Sequence, residues 1–464
     1  MRVTMFSMTP LFANKSMGGA QKQLKKVALH LGASGHQVTI LCTYRHPDAS
    51  EAFSWHENVV VQPVLRFKQP FPEPYDTPIY NIANAVEDVA HAIAKSDAFY
   101  SHDGGIIFPY LYGIKPSIVS LRSILFSETL QSGFLFQGDA LILPSPHTAQ
   151  AWQATVGRFF PEFASRVRVI PNGLDFATYR PQPADALIAR MELDPVKYAY
   201  LLYPHRPEEA KGIRQTIALA DKLIHQYGVH NLRVLVPKWI DSGLAPHVKA
   251  YYDSLAQDIQ ARGLGENFIF HDWISDDDMP LFYNVGALTV ALGNYVETFG
   301  NTPYESLACG TPALVANVGA YRGILPDDLL IDYGDLETAA ERAYRVLEAR
   351  ERTPAPLMQW LHDNFAQRDM VNSYAELILS TPKREPMPFV PPAPHAPTTR
   401  YTLATWCYIS PTRGIFHDFK GAFYDEPTLA TLANAYPDGF SEAHAPADAL
   451  ARWRRDGFIV PVRL

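Results

Sequence analysis

Short apolar runs alternate with stretches of helical period along most of this chain. Residues 2–8 form the first run. A polar loop, 9–19, leads into 20–34, where apolar residues recur at helical spacing. Gly35 then supplies a stop before the next run at 37–43. Further strands are predicted at 59–61, 98–101, 117–120, 140–143 and 168–170, most of them separated by helical patterns. At 171–183 the chain turns polar and proline-rich, and the pattern restarts. Strands are predicted at 198–203, 232–236, 268–270, 287–292, 312–316 and 329–331, and helices at 211–227, 244–262, 276–285, 302–308 and 335–350. Such alternation argues for parallel sheets covered on both faces. The expectation is two doubly wound domains, 1–180 and 181–360, facing a cleft where ligands meet the carboxyl ends of the strands. A helix at 361–380 is expected to cross back to the first domain.

Residues 381–400 hold seven prolines, a composition expected to form a semi-rigid extended linker. The tail, 401–464, is not linker-like. It opens on β-formers at 401–409, continues with helical patterns at 427–435 and 446–455, and closes on a strand at 457–462. This suits a small appended module, winged-helix-like in its order of elements, that serves recognition, packing or dimerisation.

Composition adds limits. The chain has 464 residues, 47% hydrophobic and 19% charged, which is globular and not disordered. Three separated cysteines with no CxxC pair suggest a reducing, cytoplasmic setting. No apolar run is long enough to span a membrane, and the first residues lack the marks of a signal peptide. Residues 1–180 carry 15 Lys+Arg against 13 Asp+Glu, so the remainder carries 25 against 35. Neither part shows the dense basic stripe of a nucleic-acid binder. Lys22, Lys25 and Lys26 read as a solvated helix face, with peripheral membrane contact as the alternative.

The densest chemistry lies at 297–319, ETFGNTPYESLACGTPALVANVG, which follows a strand and opens a helix near Thr302. Free N–H groups and the positive end of the helix dipole suit a phosphate there. Glu297 and Glu305 can accept hydrogen bonds from sugar hydroxyls, and Gly300 would allow a ligand close to the backbone. Asp276, Asp277 and Asp278 look like a metal-binding run but are better read as a helix start. The histidines form no HxxxH or HExxH cluster, so no metal site is expected. Cys309 reads as a packing residue.

The 297–305 spacing resembles the Glu-x7-Glu motif of retaining glycosyltransferases of family 4. Three further segments agree in order. Met17-Gly18-Gly19-Ala20 is similar to the family's glycine turn near the donor phosphates. Val169-Ile170-Pro171-Asn172-Gly173-Leu174-Asp175 is similar to its segment at the domain junction. Arg206 with Lys211-Gly212 is similar to its diphosphate-holding Arg and Lys. The resemblance covers about residues 1–380. It implies an α/β GT-B fold of two Rossmann-like domains facing a cleft, here with a small C-terminal α+β appendage. It also implies metal-independent transfer from a nucleotide-diphosphate sugar, UDP being the commonest nucleotide, with no cofactor. Arg206 and Lys211 would bind the departing diphosphate, Glu297 the sugar and Glu305 the ribose. Gly18 and Gly19 would approach the donor, and Phe299, Gly300, Asn301 and Thr302 would add backbone contacts. His102, after a first-domain strand, would touch sugar or acceptor, with Asp103 beside it.

Two positions depart from the family pattern. Arg122 stands where the family has a sugar-contacting histidine, six residues beyond a proline, and is a candidate for an anionic group of donor or acceptor. Val236-Pro237-Lys238-Trp239 replaces a glycine-rich turn near the base pocket. Two other readings share the architecture, a sugar-nucleotide epimerase and a non-catalytic sugar-nucleotide binding protein. The Glu spacing and Lys211-Gly212 weigh against the first. The joint presence of Arg206, Lys211, Glu297 and Glu305 weighs against the second.

Overall fold

A computed structural model describes residues 1–14, 16, 18–45, 50–66, 77–104, 108–238 and 246–462, apart from the side chains of 246–248. Met17 and Trp239, from two of the motifs above, lie outside this set. The chain forms two compact units. One comprises Met1–Gly173, Arg368–His417 and Phe423–Leu464; the other comprises Leu174–Gln367 and Asp418–Ala422.

The first unit is built on eight strands: β1 (Arg2–Ser7), β2 (Gln37–Thr43), β3 (Phe53–His56), β4 (Val59–Leu65), β5 (Ala98–His102), β6 (Ser117–Ser120), β7 (Ala140–Leu143) and β8 (Val167–Val169). Their order is β3-β4-β2-β1-β5-β6-β7-β8. All neighbours are parallel except β3 and β4, which pair antiparallel at the edge. β3 escapes the sequence pattern because three of its four residues are only half-buried and the other is exposed. Strands β1, β5, β6 and β7 are buried along nearly their whole length, as a sheet covered on both faces requires. Helix Gly19–Ala33 turns Leu24, Val27, Ala28 and Leu31 onto this sheet, the spacing of a single helical face.

Among the described residues the second unit has six parallel strands: β9 (Ala199–Leu202), β10 (Leu232–Pro237), β11 (Phe268–His271), β12 (Leu288–Ala291), β13 (Ala313–Ala316) and β14 (Leu330–Ile331). Their order is β11-β10-β9-β12-β13-β14. In both sheets the order reverses beside the first strand of the unit, between β1 and β5 and between β9 and β12. At such a switch point the two flanking loops diverge and leave a crevice at the strand ends.

The break between units falls at Gly173 and Leu174, not after residue 180. Leu174 belongs with the second unit because its N–H donates to Phe365 O at 2.7 Å and its carbonyl accepts from Gln367 N at 2.8 Å. The single helix expected at 361–380 is two, Ala355–Phe365 and Gln367–Ser380, with Ala366 extended between them. Leu361 and Phe365 join a core of the second unit, and Met370, Val371, Tyr374 and Ile378 join the core of the first. The run 276–285 is helical only from Met279. Asp278 occupies the N-cap position, but its carboxylate takes Arg190 and the Ser275 hydroxyl, not a helix N–H.

The proline-rich stretch is extended but not free. Buried Asp139 accepts from Lys383 Nζ and from the N–H groups of Arg384 and Ser117. Arg166 donates to Glu385 O at 2.5 Å, Met387 is buried, and Phe389 stacks on Phe159. Residues 383–390 are therefore a strap on the first unit. Beyond it lie two small antiparallel sheets. One pairs β15 (Tyr401–Leu403) with β19 (Ile459–Pro461). The other joins β16 (Cys407–Ser410), β17 (Gly414–His417) and β18 (Ala422–Tyr424). Helices Pro427–Ala435 and Ala447–Arg455 complete the tail, and Trp406, Leu429, Leu450, Trp453 and Phe458 form its core together with Ala151.

Candidate active site

Lys211 and Glu297 stand on the two loops that leave the switch point of the second sheet. After β9 the chain makes one 3-10 turn, Glu209–Lys211, and Gly212 caps the helix Ile213–His225 with a φ of 87°. After β12 the chain passes Gly293, whose backbone packs on Ala210 and Lys211 so tightly that no Cβ fits between them. Tyr295 N–H donates to Ala210 O at 2.9 Å. This contact brings Lys211 Nζ to 2.6 Å from Glu297 Oε1 and 3.5 Å from the centre of the Tyr295 ring. Both charged side chains keep some exposure, 16% and 21%. The pair is thus a cation and a carboxylate held together at an accessible strand end.

Nearby groups define the rest of the crevice. Arg206 is half exposed and pairs with Glu208 at 3.2 Å. His205 has a buried Nε2; burial, and then the Lys211 charge, push its pKa down to about 3. The Glu297 carbonyl accepts from Ala320 N–H at 2.9 Å, and Gly319 turns beneath it with a φ of 59°.

The 299–305 segment packs closely around the start of its helix. Gly300 has a φ of 75°, but a Cβ there would lie 2.2 Å from Tyr321 Oη. Tyr321 occupies the Cβ side of this position, so only glycine fits there. Phe299 is buried and stacked on Tyr304 with centroids 4.5 Å apart. Asn301 and Thr302 open the helix Asn301–Ala308. Glu305 lies further along it and accepts from Tyr283 Oη at 3.0 Å, with Tyr179 as a second hydroxyl partner. Burial, reinforced by the Glu305 charge, holds both phenols well above their usual pKa.

In the first unit, Gly18 is the extended N-cap of helix Gly19–Ala33. His102 closes β5 with both ring nitrogens engaged. Nε2 donates to Ala20 O at 2.7 Å, which leaves Nδ1 to accept from Tyr100 Oη, also at 2.7 Å. The residue is 2% exposed, and burial lowers its pKa to about 3. His102 therefore braces the glycine turn as a neutral imidazole, with no ring nitrogen left for a substrate. Asp103 follows at a φ of 63°, and its carboxylate accepts from Arg122 N–H; burial raises its pKa to about 6, against the lowering effect of the Arg122 charge. The Arg122 guanidinium donates to Tyr374 Oη at 3.1 Å and to Asn172 Oδ1. It thus ties the Pro171-Asn172-Gly173 segment to helix Gln367–Ser380.

Comparison with known proteins agrees with this architecture. A model described as Glycosyltransferase Family 4 matches residues 17–178, and one described as Glycosyl transferases group 1 matches 188–355. The chain belongs to glycosyltransferase family 4. Among its curated relatives is a D-inositol 3-phosphate glycosyltransferase from Rhodococcus opacus, 31% identical over 155 residues. That alignment spans 33% of this chain and 33% of the relative. The enzyme of the same name from Acidothermus cellulolyticus is 29% identical over 188 residues, 39% of this chain and 41% of the relative. The family member described here thus matches well under half the length of these relatives. Solved structures share its fold. Sucrose-phosphate synthase from Thermosynechococcus elongatus superposes with a TM-score of 0.66 at 18% identity, over 81% of this chain and 98% of that one. Anabaena HepE, solved in complex with UDP and glucose, superposes at 0.62 and 17% identity, over 82% and 99%. The α/β GT-B fold is therefore established. No described helix is long and apolar enough to cross a membrane.

Sequence reasoning missed Tyr295, His205, and the tyrosines around Glu305. An aromatic two residues before Glu297 was a signal for the first. The others converge on the site from distant positions and leave no local pattern.

Proposed function

We propose that this chain transfers a sugar from a nucleoside-diphosphate sugar to an acceptor hydroxyl with retention of anomeric configuration. The second unit would hold the donor and the first the acceptor. The observation that carries this reading is the Lys211–Glu297 pair, 2.6 Å apart at the switch point of the second sheet. In the free protein the carboxylate holds the lysine aimed into the crevice. When donor binds, the distal phosphate takes the ammonium as partner and Glu297 is released to the sugar hydroxyls. Arg206, half exposed one loop away, supplies a second cation.

The reaction then needs little further machinery. The bond from the anomeric carbon to the phosphate oxygen breaks, and fixed cations stabilise the charge that builds on the leaving diphosphate. The acceptor oxygen bonds to the anomeric carbon on the same face. Its proton passes to the departing phosphate oxygen, so no separate protein base is required. UDP is the proposed nucleotide, supported by the HepE complex.

Thermal stabilisation by UDP, GDP, ADP and dTDP tests the donor site, on wild type and Lys211→Ala. A ligand at 100 times its Kd adds about 2.7 kcal/mol, a shift of several degrees. UDP is expected to stabilise wild type and to lose most of that effect in the variant. Stabilisation by none of the four would refute the reading.

A further inference from the structure

The turn between β17 and β18 packs in the second unit, although the strands that carry it pack in the first. It lies far outside both matched family segments. Asp418 is buried, with no side-chain exposure, and pairs with Arg322 at 2.7 Å. Its Oδ1 also accepts from Gly319 N–H at 3.3 Å. Gly319 is the residue that turns under Glu297: a Cβ on it would lie 2.7 Å from Glu297 O. Three residues on, Gly421 has a φ of 61° and lies against Asn294, so that a Cβ there would be 2.4 Å from Nδ2. Asn294 follows Gly293, which packs on Lys211. The 294–297 segment carries Tyr295 and Glu297, the two partners of Lys211. It is therefore bracketed at both ends by one turn of the tail, by Gly421 at Asn294 and by Asp418, through Gly319, at Glu297.

We propose that Asp418, with Arg322 and Gly421, is a positioning element for the diphosphate site, so that the appended tail completes the donor-binding unit. This rests on the donor-site reading of Lys211 and Glu297. The physical argument is that the buried Asp418 arm of the bracket is not free to shift. The Asp418 carboxylate is out of water, so losing the Arg322 cation beside it is costly. Gly421 has a φ of 61°, which a larger residue rarely adopts, and a Cβ there pushes on the Asn294 side chain. The loop packs on Ala210 and Lys211 through Gly293 and Tyr295, so its displacement shifts the Lys211 ammonium, and the grip on the distal phosphate weakens.

The test uses full-length wild type, Asp418→Asn and Gly421→Ala. UDP and UMP are titrated calorimetrically, and melting midpoints are recorded without ligand. UMP lacks the distal phosphate and reports the rest of the pocket. Both variants are expected to weaken UDP by about tenfold or more and UMP by less than about threefold, the scale of a small misplacement of binding groups. Arg322→Lys, which keeps the charge opposite Asp418, should retain more UDP affinity than Arg322→Met. Wild-type UDP affinity in variants that fold, or equal losses for UDP and UMP, would overturn the inference while leaving the donor site intact. If Asp418→Asn does not fold, Gly421→Ala and the Arg322 pair decide by the same ratio. A wild type that binds neither UDP nor any other nucleoside diphosphate would remove the donor reading, and this inference with it.

Discussion

Gly293 and Gly212 meet backbone to backbone: a Cβ on Gly293 would stand 2.1 Å from Ala210 O and 2.8 Å from Gly212 N, and one on Gly212 would stand 2.4 Å from Gly293 N. The two loops at the switch point can close on each other only with hydrogen at both positions. Gly293→Ala is therefore expected to cost about 1–3 kcal/mol, as overpacking does in a tight interior. It should also abolish stabilisation by UDP, because the Gly293 contact places Lys211, and its ammonium shifts when the loops part. A thermal melt with and without UDP reads both effects. Unchanged stabilisation would show that the loop contact does not set the site.

Lys211 and Glu297 should separate in their effects. Lys211→Ala removes the cation facing the leaving group and is expected to slow turnover by about 10²–10³, the loss seen when one charge-stabilising group is deleted. Glu297→Gln removes the competitor for that cation. It should leave UDP affinity equal to wild type or higher, while turnover of the sugar donor falls. Loss of UDP affinity in Glu297→Gln would contradict the exchange of partners described above.

His102 makes acid sensitivity predictable. An unperturbed histidine titrates near 6.5, and burial lowers this one to about 3. Between those values the unfolded chain binds a proton that the folded chain does not. The stabilising contribution of neutral His102 is therefore complete above about pH 6.5 and is lost as pH falls, at up to about 1.4 kcal/mol per pH unit. Asp103, raised to about 6, acts in the opposite sense, its folded state gaining relative stability as pH falls through 6. Comparing wild type with His102→Gln isolates the histidine. The cost of the substitution should be smaller at pH 5 than at pH 7 by about 2 kcal/mol, read from denaturant titrations. The same cost at both values would mean that the imidazole is not held neutral.

The Arg122 guanidinium donates to Tyr374 and Asn172. Arg122→Ala should destabilise the first unit by about 1–3 kcal/mol through the polar groups it abandons, the buried Tyr374 hydroxyl and the half-buried Asn172 amide. Arg122→Lys should recover only part, because an ammonium cannot reach both partners as a planar fork does. UDP affinity, set in the other unit, should not change. A wild-type melting midpoint with a raised KM for the acceptor alone would assign the guanidinium to substrate instead.

Much of the fold was legible because period and propensity act over a few residues. Buried parallel strands read as unbroken apolar runs, and the strand-helix alternation restarts after 171–183 with the second sheet. Lys211 and Glu297 were legible as candidates as well, since each follows one of the two strands that flank the switch point of the second sheet. β3 was not, because an edge strand with little buried area has little apolar pattern.

What the sequence by itself determined is the order of elements, the two parallel sheets, and which loops stand at their carboxyl ends. Those follow from local hydrophobic spacing and from glycines at the turns. Only the tertiary structure decided that His102 spends both nitrogens on Tyr100 and Ala20, that Tyr321 fills the space beside Gly300, and that residues 383–390 strap the first unit through Asp139. It alone set Asp418 against Arg322, 96 positions away. Such contacts depend on how separately formed elements pack in three dimensions, and no periodicity along the chain encodes a partner at that distance.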